Sequence, residues 1–224
     1  MDSLNDSVKM ERNEILEEFF IDLQKAIGRT LKIEKRLRPD DVENIVSVDA
    51  AYRGELMAVA AVKWNLRKGE VMDEKTMICK PPYPYVPGLL FLREGPPMLK
   101  LVKEFEDWQL LLVDAHGILH PRRMGLAVFL GFILDKPAIG LAKSLLVGEE
   151  ELGEIFGRVF VRGEVLGYWF KPKGSRKFYA SPGYMVEVDQ IPEIVSILGS
   201  RYPEALRRAD MLSKEALRKF TKQS

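Results

Sequence analysis

The sequence predicts an α/β fold: a mixed sheet, built from an antiparallel three-strand meander plus parallel strands, flanked by helices. Three observations carry this. The runs IVSVDAAY, GELMAVAAVKWN and EKTMICK read as three strands with Arg53-Gly54 and Lys68-Gly69 as turns, and short turns between neighbouring strands imply antiparallel pairing. DWQLLLVDAHG is a continuous apolar run, as expected of a central strand buried on both faces. Around these runs the apolar spacing changes to the helical period. Pattern alone leaves several α/β folds open.

Taken in order, residues 11–27 set Ile15, Leu16, Phe19, Phe20, Leu23 and Ile27 on one face of an amphipathic helix. A polar connector ends in Pro39-Asp40-Asp41, and the meander follows. The next segment, PPYPYVPG, cannot be a strand, because each proline removes a backbone donor and fixes φ. From Gly88 the pattern is helical through Leu92, Leu99, Val102 and Phe105. After the central strand come a helix over about 125–134 and a short strand in PAIGLAKS. EVLGYWF and KFYASPG read as a hairpin around the basic loop KPKGSRK. IPEIVSILG and PEALRRADMLSKEALRKF read as helices, the second with Ala205, Ala209, Leu212, Ala216 and Phe220 in register. No repeat, low-complexity tract or linker interrupts the chain, so one domain over residues 1–224 with N- and C-terminal helices is expected.

Composition narrows the function classes. Apolar residues make up 46% and charged residues 30% of 224, as in a globular protein. The 34 basic and 33 acidic residues nearly cancel, so any nucleic-acid contact must be a local surface. A single cysteine, Cys79, excludes an intrachain disulfide and zinc frameworks built on cysteine pairs, and it favours a reducing, cytoplasmic setting. The polar start MDSLNDSVKMERNE is unlike a secretory signal, and the apolar run Leu126 to Leu134 is too short to cross a membrane.

The chemical signal lies in acids that end buried runs. Asp49 follows Ile45-Val46 and Val48, and Asp114 follows Leu110 to Val113. A carboxylate there is costly unless a metal or donor compensates it. Were the two strands neighbours, both acids would converge at one edge, and Glu94 on a helix over that edge would complete a three-carboxylate pocket suited to Mg²⁺ or Mn²⁺. Each acid alone is commonly a turn or cap residue; the argument rests on the three together. No G-x-x-x-x-G-K-[ST] or G-x-S-x-G occurs. His116 and His120 stand four apart, but Gly117 lies between them and Pro121 biases His120 away from helical geometry.

VDAHGILHPRRMGLAVFLG, with PAIGLAKSLL after it and PYVPGLLFLRE before it, closely resembles the endonuclease V family, over about Ile45 to Tyr184. The resemblance implies a ribonuclease H-like fold and a Mg²⁺-dependent endonuclease of DNA repair, with Mn²⁺ as a substitute. Such enzymes recognise hypoxanthine, present as deoxyinosine in DNA, and cut the second phosphodiester on its 3′ side to leave 3′-hydroxyl and 5′-phosphate ends. It implies metal carboxylates at Asp49, Glu94 and Asp114, with Lys143 and His120 as further catalytic residues. It also implies a Pro84-Tyr85-Val86-Pro87 wedge that enters the gap left by a flipped nucleotide. A base pocket is expected near Gly88, Leu89, Leu90, Ala115 and His116. Phosphate contacts are expected from Arg122 and Arg123, with a second basic strip at Lys171, Lys173, Arg176 and Lys177.

Two positions depart from the family pattern. Ala115 stands where glycine is usual, which would be strained at positive φ. Tyr184 replaces the usual histidine after S-P-G, at a position expected to tune a metal-bound water. The expected partner is deoxyinosine-containing DNA, acted on by a monomer with no membrane attachment. The rival readings are an inosine-specific endoribonuclease with the same site, and a non-catalytic binder of deaminated nucleic acid.

Overall fold

The computed structural model describes residues 2–31 and 36–223. Helix α1 (Asp2–Thr30) precedes the meander β1 (Asn44–Arg53), β2 (Leu56–Asn65) and β3 (Glu70–Cys79). There follow α2 (Leu90–Val102), β4 (Leu110–Val113), α3 (Leu126–Leu134) and β5 (Ala138–Ala142). The second half contributes β6 (Glu149–Glu150), β7 (Phe156–Val161), β8 (Glu164–Phe170), β9 (Phe178–Tyr184), α4 (Ile191–Ile197) and α5 (Glu204–Gln223). All the strands join one nine-stranded sheet in the order β3-β2-β1-β4-β5-β9-β8-β7-β6. Among the described residues, only β1–β4 and β4–β5 pair in parallel; every other ladder is antiparallel. The expected mixed sheet with helices on its faces is the observed architecture. Among the described residues, no helix is long and apolar enough to cross a membrane.

Strand parity divides the core. Val46, Val48, Leu111 and Val113 point to the face covered by α2 and α3, with Phe20, Ile21 and Ile27 of α1 packed on that cluster. Ile45, Leu110, Leu112, Ile139 and Leu141 point to the opposite face, against Ile191 and Ile194 of α4 and Leu206 of α5. The β1–β4 register sets Val48 beside Val113, which makes Asp49 and Asp114 neighbours at the same end. Both acids share parity with Ile45 and Leu112, so they face the α5 side. Ser47, on that face, donates to the Ala205 carbonyl at 2.8 Å and fixes where α5 enters.

Several elements differ from expectation. The β6–β7 pair is additional; FGRVFV alternates, but its inward residues are only Gly157 and Val159, too weak an apolar signal. Its hairpin to β8 turns at Arg162 and Gly163, both with positive φ. On α5 the buried stripe is Ala205, Leu206, Ala209, Ser213 and Leu217, rotated from the expected face; Phe220 is exposed. Helix α2 runs through Pro96 and Pro97 as its pattern implies, but ends at Val102, short of Phe105.

The loop after β4 approaches its neighbours so closely that two glycines are required. A Cβ on Gly117 would lie 1.9 Å from the Pro182 carbonyl oxygen, and one on Gly140 would lie 2.3 Å from that of Ala115. Both obstacles are backbone, so neither can swing aside. Gly117→Ala is therefore expected to destabilise the fold by at least ~1–3 kcal/mol, the usual cost of overpacking. Urea unfolding measures it, and a loss under ~0.5 kcal/mol, the ordinary scatter of surface changes, would contradict the packing described.

Candidate active site

Asp49, near the middle of β1, is 8% exposed. Asp114 leaves the end of β4, and its amide donates to the Val48 carbonyl at 3.2 Å, which locks the two strand ends together. The third acid is Asp210, on α5. One carboxylate oxygen from each of Asp49, Asp114 and Asp210 lies within 4.8 Å of the others. Like charges this close cannot all ionise freely. Burial, then the Asp114 charge, push Asp49 well above the usual carboxylate range. Burial also acts to raise Asp210, but Lys214, at 2.6 Å, and Lys143 outweigh it and hold Asp210 low.

Lys143, just past β5, bonds to Asp114 Oδ2 and lies 3.7 Å from Asp210. Burial works against its charge, but Asp114 more than compensates and raises its pKa. The Tyr202 ring sits 5.5 Å below the Lys143 ammonium. Burial, then the Asp114 charge, raise the pKa of its phenol, so Tyr202 stays protonated beside the acids. Three hard oxygen donors, offset by only two lysines, form a set suited to a divalent cation such as Mg²⁺ or Mn²⁺.

Glu94 stands beside this cluster rather than within it. It is 8% exposed on α2 and accepts a 2.7 Å hydrogen bond from the Tyr52 hydroxyl. Burial lifts its pKa to about 7, with Asp114 adding to the rise and Tyr52 opposing it. Tyr52 is itself held by the Arg93 guanidinium, 4.7 Å from its ring centre, and Arg93 donates to the Tyr83 carbonyl at 2.9 Å. The proline segment is thereby tied to the helix that carries Glu94.

A cavity of about 290 Å³ opens against the cluster and includes Asp114 and Lys143 in its wall. Tyr85, Gly88, Leu90, Ala115, His116 and His120 line it as well. Tyr85 is 67% exposed at its mouth. Leu89 is fully buried beneath it and is not part of the wall. Pro84 and Pro87 are exposed and Val86 is half-buried, so the tip of the loop stands clear. The backbone at Ala115 does not take positive φ, so the alanine there carries no left-handed strain.

The floor of this loop is a hydrogen-bond hub at the Gly88 carbonyl. It accepts from Gln24 at 3.0 Å and from Arg122 at 2.7 Å, and His120 also bonds to it. Gln24, buried on α1, also donates to the Met124 carbonyl and accepts from Arg122 Nε at 2.6 Å. His120 Nδ1 accepts from the Arg122 amide at 3.2 Å. Of the two arginines expected to meet phosphate, Arg122 joins this internal hub, and Arg123 pairs with both carboxylate oxygens of Glu164 at the surface. His120 is likewise an internal neutral histidine whose imidazole holds the loop.

Tyr184 is corrected too. It pairs with Ala138, at the far end of β5 from Lys143, roughly 16 Å away at ~3.3 Å per residue. Its hydroxyl donates to Asp135 at 3.2 Å and its ring packs edge-on against Phe132, so it does not reach the acids.

Comparison with known proteins agrees with this geometry. The family model described as Endonuclease V matches residues 25–211. This chain belongs to the endonuclease V family. The endonuclease V of Sulfolobus acidocaldarius is 39% identical over 204 residues, which cover 90% of this chain and 96% of that protein. The crystal structure of the Bacillus subtilis endonuclease V is similar at a TM-score of 0.83 and 26% identity, covering 92% of this chain and 94% of that one. The Ciona intestinalis endonuclease V, in complex with a 24mer DNA containing an inosine followed by a ribo-adenosine, shares the fold at a TM-score of 0.77 and 24% identity; 92% of this chain and 99% of that one are covered. Members of the endonuclease V family are nucleases, so this chain is a phosphodiester hydrolase.

Asp210 escaped the sequence reading. Its signal was available: it lies four residues after Leu206 and beside Ala209, an acid bordering the apolar stripe of α5. Strand parity then turns Asp49 and Asp114 toward that helix.

The hub has a pH consequence. Burial, then the Arg122 charge, lower the His120 pKa from 6.5 to about 4. A depressed folded-state value gives stability that is complete above pH 6.5 and is lost as pH falls through about 4. The full effect is roughly 3 kcal/mol at about 1.4 kcal/mol per unit. The stability advantage of the wild type over His120→Gln should therefore shrink by that order between neutral pH and pH 4 in urea unfolding. An advantage that stays constant over this range would show that the histidine titrates as if exposed.

Proposed function

We propose that this protein is a Mg²⁺-dependent endonuclease that recognises hypoxanthine in DNA and cleaves the second phosphodiester on its 3′ side. The observation that carries the reading is a shared wall: the cavity that would take a base and the carboxylate cluster that would act on a phosphate have Asp114 in common, and its partner Lys143 lines the same cavity. A relative of the same fold bound to inosine-containing DNA supports the substrate class.

Residue roles follow from the geometry. Tyr85 fills the gap left by the extruded nucleotide, and its exposure on a loop braced at Gly88 keeps the ordering cost low. Hypoxanthine pairs less strongly than a normal base, which lowers the extrusion cost. The walls at Gly88, Leu90, Ala115 and His116 enclose the base. Burial lowers the pKa of His116, whose ring donates to the Ser144 carbonyl, so it stands neutral in that wall. Asp49, Asp114 and Asp210 would hold a divalent cation, with Glu94 beside them. Bound there, it would act as a Lewis acid on the phosphate and lower the pKa of a coordinated water. Lys143 offsets negative charge that builds on the phosphate oxygens. Glu94, with a pKa of about 7, can accept or release a proton near neutral pH.

Matched DNA strands carrying either hypoxanthine or adenine, incubated with Mg²⁺ and with chelator, test the reading. Only the hypoxanthine strand should be cut, at one bond and only with metal; equal cutting of adenine, or cutting in chelator, would refute it. An RNA strand with hypoxanthine, included alongside, should be the poorer substrate, and preferential cleavage of RNA would transfer the reading to a ribonuclease.

Two substitutions separate the parts. Asp210→Asn keeps the side-chain size and should reduce single-turnover cleavage by at least ~100-fold, since loss of a metal ligand removes several kcal/mol of stabilisation and each ~1.4 kcal/mol is tenfold. Its thermal unfolding should change little, because the attraction lost to Lys143 and Lys214 is offset by relief of the repulsion from Asp49 and Asp114. A rate within a few-fold of wild type would exclude Asp210 from the centre. Tyr85→Ala should weaken binding of hypoxanthine duplex by about 1–3 kcal/mol, the usual contribution of base–aromatic stacking. Unchanged binding would remove the wedge role, and a large fall in melting temperature would make the tyrosine a packing residue.

A further inference from the structure

A second concavity, of about 430 Å³, reaches the carboxylate cluster through Lys143, which pairs with Asp114 and lies 3.7 Å from Asp210. The two cavities share Lys143, and Tyr202, whose phenol faces Asp114, stands at their junction. The KPKGSRK loop between β8 and β9 forms one bank, with Arg176 and Lys177. The segment between α4 and α5 and the first turn of α5 form the other, with Arg201 and Arg207.

Its charges are not equally committed. Lys177 pairs with Glu150, Arg207 with Glu204 at 2.8 Å, and Lys143 with Asp114. Glu204 is the one acid in the lining, and Arg207 neutralises it. Arg176 and Arg201 have no ion-pair partner among the described residues, and both are exposed. Two uncommitted guanidinium groups on facing banks of a groove that leads from the acids suit a polyanionic backbone, because arginine binds phosphate oxygens bidentately.

We infer that this groove holds the backbone phosphates of the substrate strand on the 3′ side of the scissile bond, clamped between Arg176 and Arg201. The inference rests on the functional reading above, which fixes the polarity. With the flipped base in the first cavity and the cut 3′ to it, the strand passes over Asp114 and Lys143 and can continue only outward from the cluster. The groove lies on that path. It retains the fragment bearing the new 5′-phosphate after cleavage, while the base cavity retains the other fragment.

The test compares the wild type with Arg176→Ala/Arg201→Ala. Binding of hypoxanthine DNA strands is measured by fluorescence anisotropy in chelator, with the 3′ flank intact, the 3′ flank trimmed back to the second phosphodiester, or the 5′ flank trimmed instead. Trimming the 3′ flank should weaken wild-type binding several-fold and reduce the salt-dependence slope by roughly 1–2, as expected for two phosphate contacts. The double variant should be indifferent to that trimming and should lose affinity with the wild type when the 5′ flank is trimmed. Arg176→Lys/Arg201→Lys should recover part of the 3′-flank dependence, which a purely structural role would not give. If the two proteins lose equal affinity on 3′ trimming while both still prefer hypoxanthine to adenine, the groove assignment is wrong and the functional reading stands. Indifference of the variant to the 5′ flank instead would reverse the strand direction and overturn the inference. If the wild type itself shows no preference for hypoxanthine, the functional reading falls and the polarity argument falls with it.

Discussion

Mutual repulsion among Asp49, Asp114 and Asp210 is the constraint around which this protein is organised. Their oxygens lie within 4.8 Å of one another, where each fully ionised pair would cost about 3 kcal/mol at an effective dielectric near 20. No acid reaches that position by local preference. The parallel β1–β4 register brings Asp49 beside Asp114, and the Ser47–Ala205 bond seats α5 so that Asp210 closes the group. The apolar packing of both sheet faces overrides the repulsion. What remains is relieved by the raised pKa of Asp49 and by Lys143 and Lys214. A fold that concentrates negative charge in this way is arranged to receive positive charge.

The second organising feature is rigidity beneath an exposed tip. Gly88 has a φ of 79°, and its carbonyl collects bonds from α1 through Gln24 and from the segment after β4 through Arg122 and His120. Three parts of the chain distant in sequence therefore meet under the proline loop. Tyr85 is left outside this hub, on a backbone with few conformations to lose. Of the two arginines after His120, Arg122 braces this hub and Arg123 forms a surface ion pair with Glu164.

Much of the fold was legible because it is written in local periodicity. The meander, the central strand and the β8–β9 hairpin all have unambiguous patterns. The β6–β7 pair was missed because its inward positions carry only Gly157 and Val159, too little apolar surface to mark a strand. At the site, Asp49 and Asp114 were legible because a charge that ends an apolar run is conspicuous. Asp210 was not, because its meaning depends on which face of the sheet α5 covers, a tertiary fact. The surroundings of Arg122, Arg123 and Tyr184 were illegible for the same reason. Their motif positions suggested the reaction centre, but their partners in the fold, Gln24, Glu164 and Asp135, come from elsewhere in the chain.

The position at which a divalent cation binds tests this site most directly. Anomalous diffraction from crystals soaked in Mn²⁺ would locate it without reference to activity. The arrangement described here predicts a manganese peak bounded by carboxylate oxygens of Asp49, Asp114 and Asp210, adjacent to Glu94. A well-ordered crystal with no peak between those three side chains, or with its strongest peak elsewhere on the protein, would contradict it.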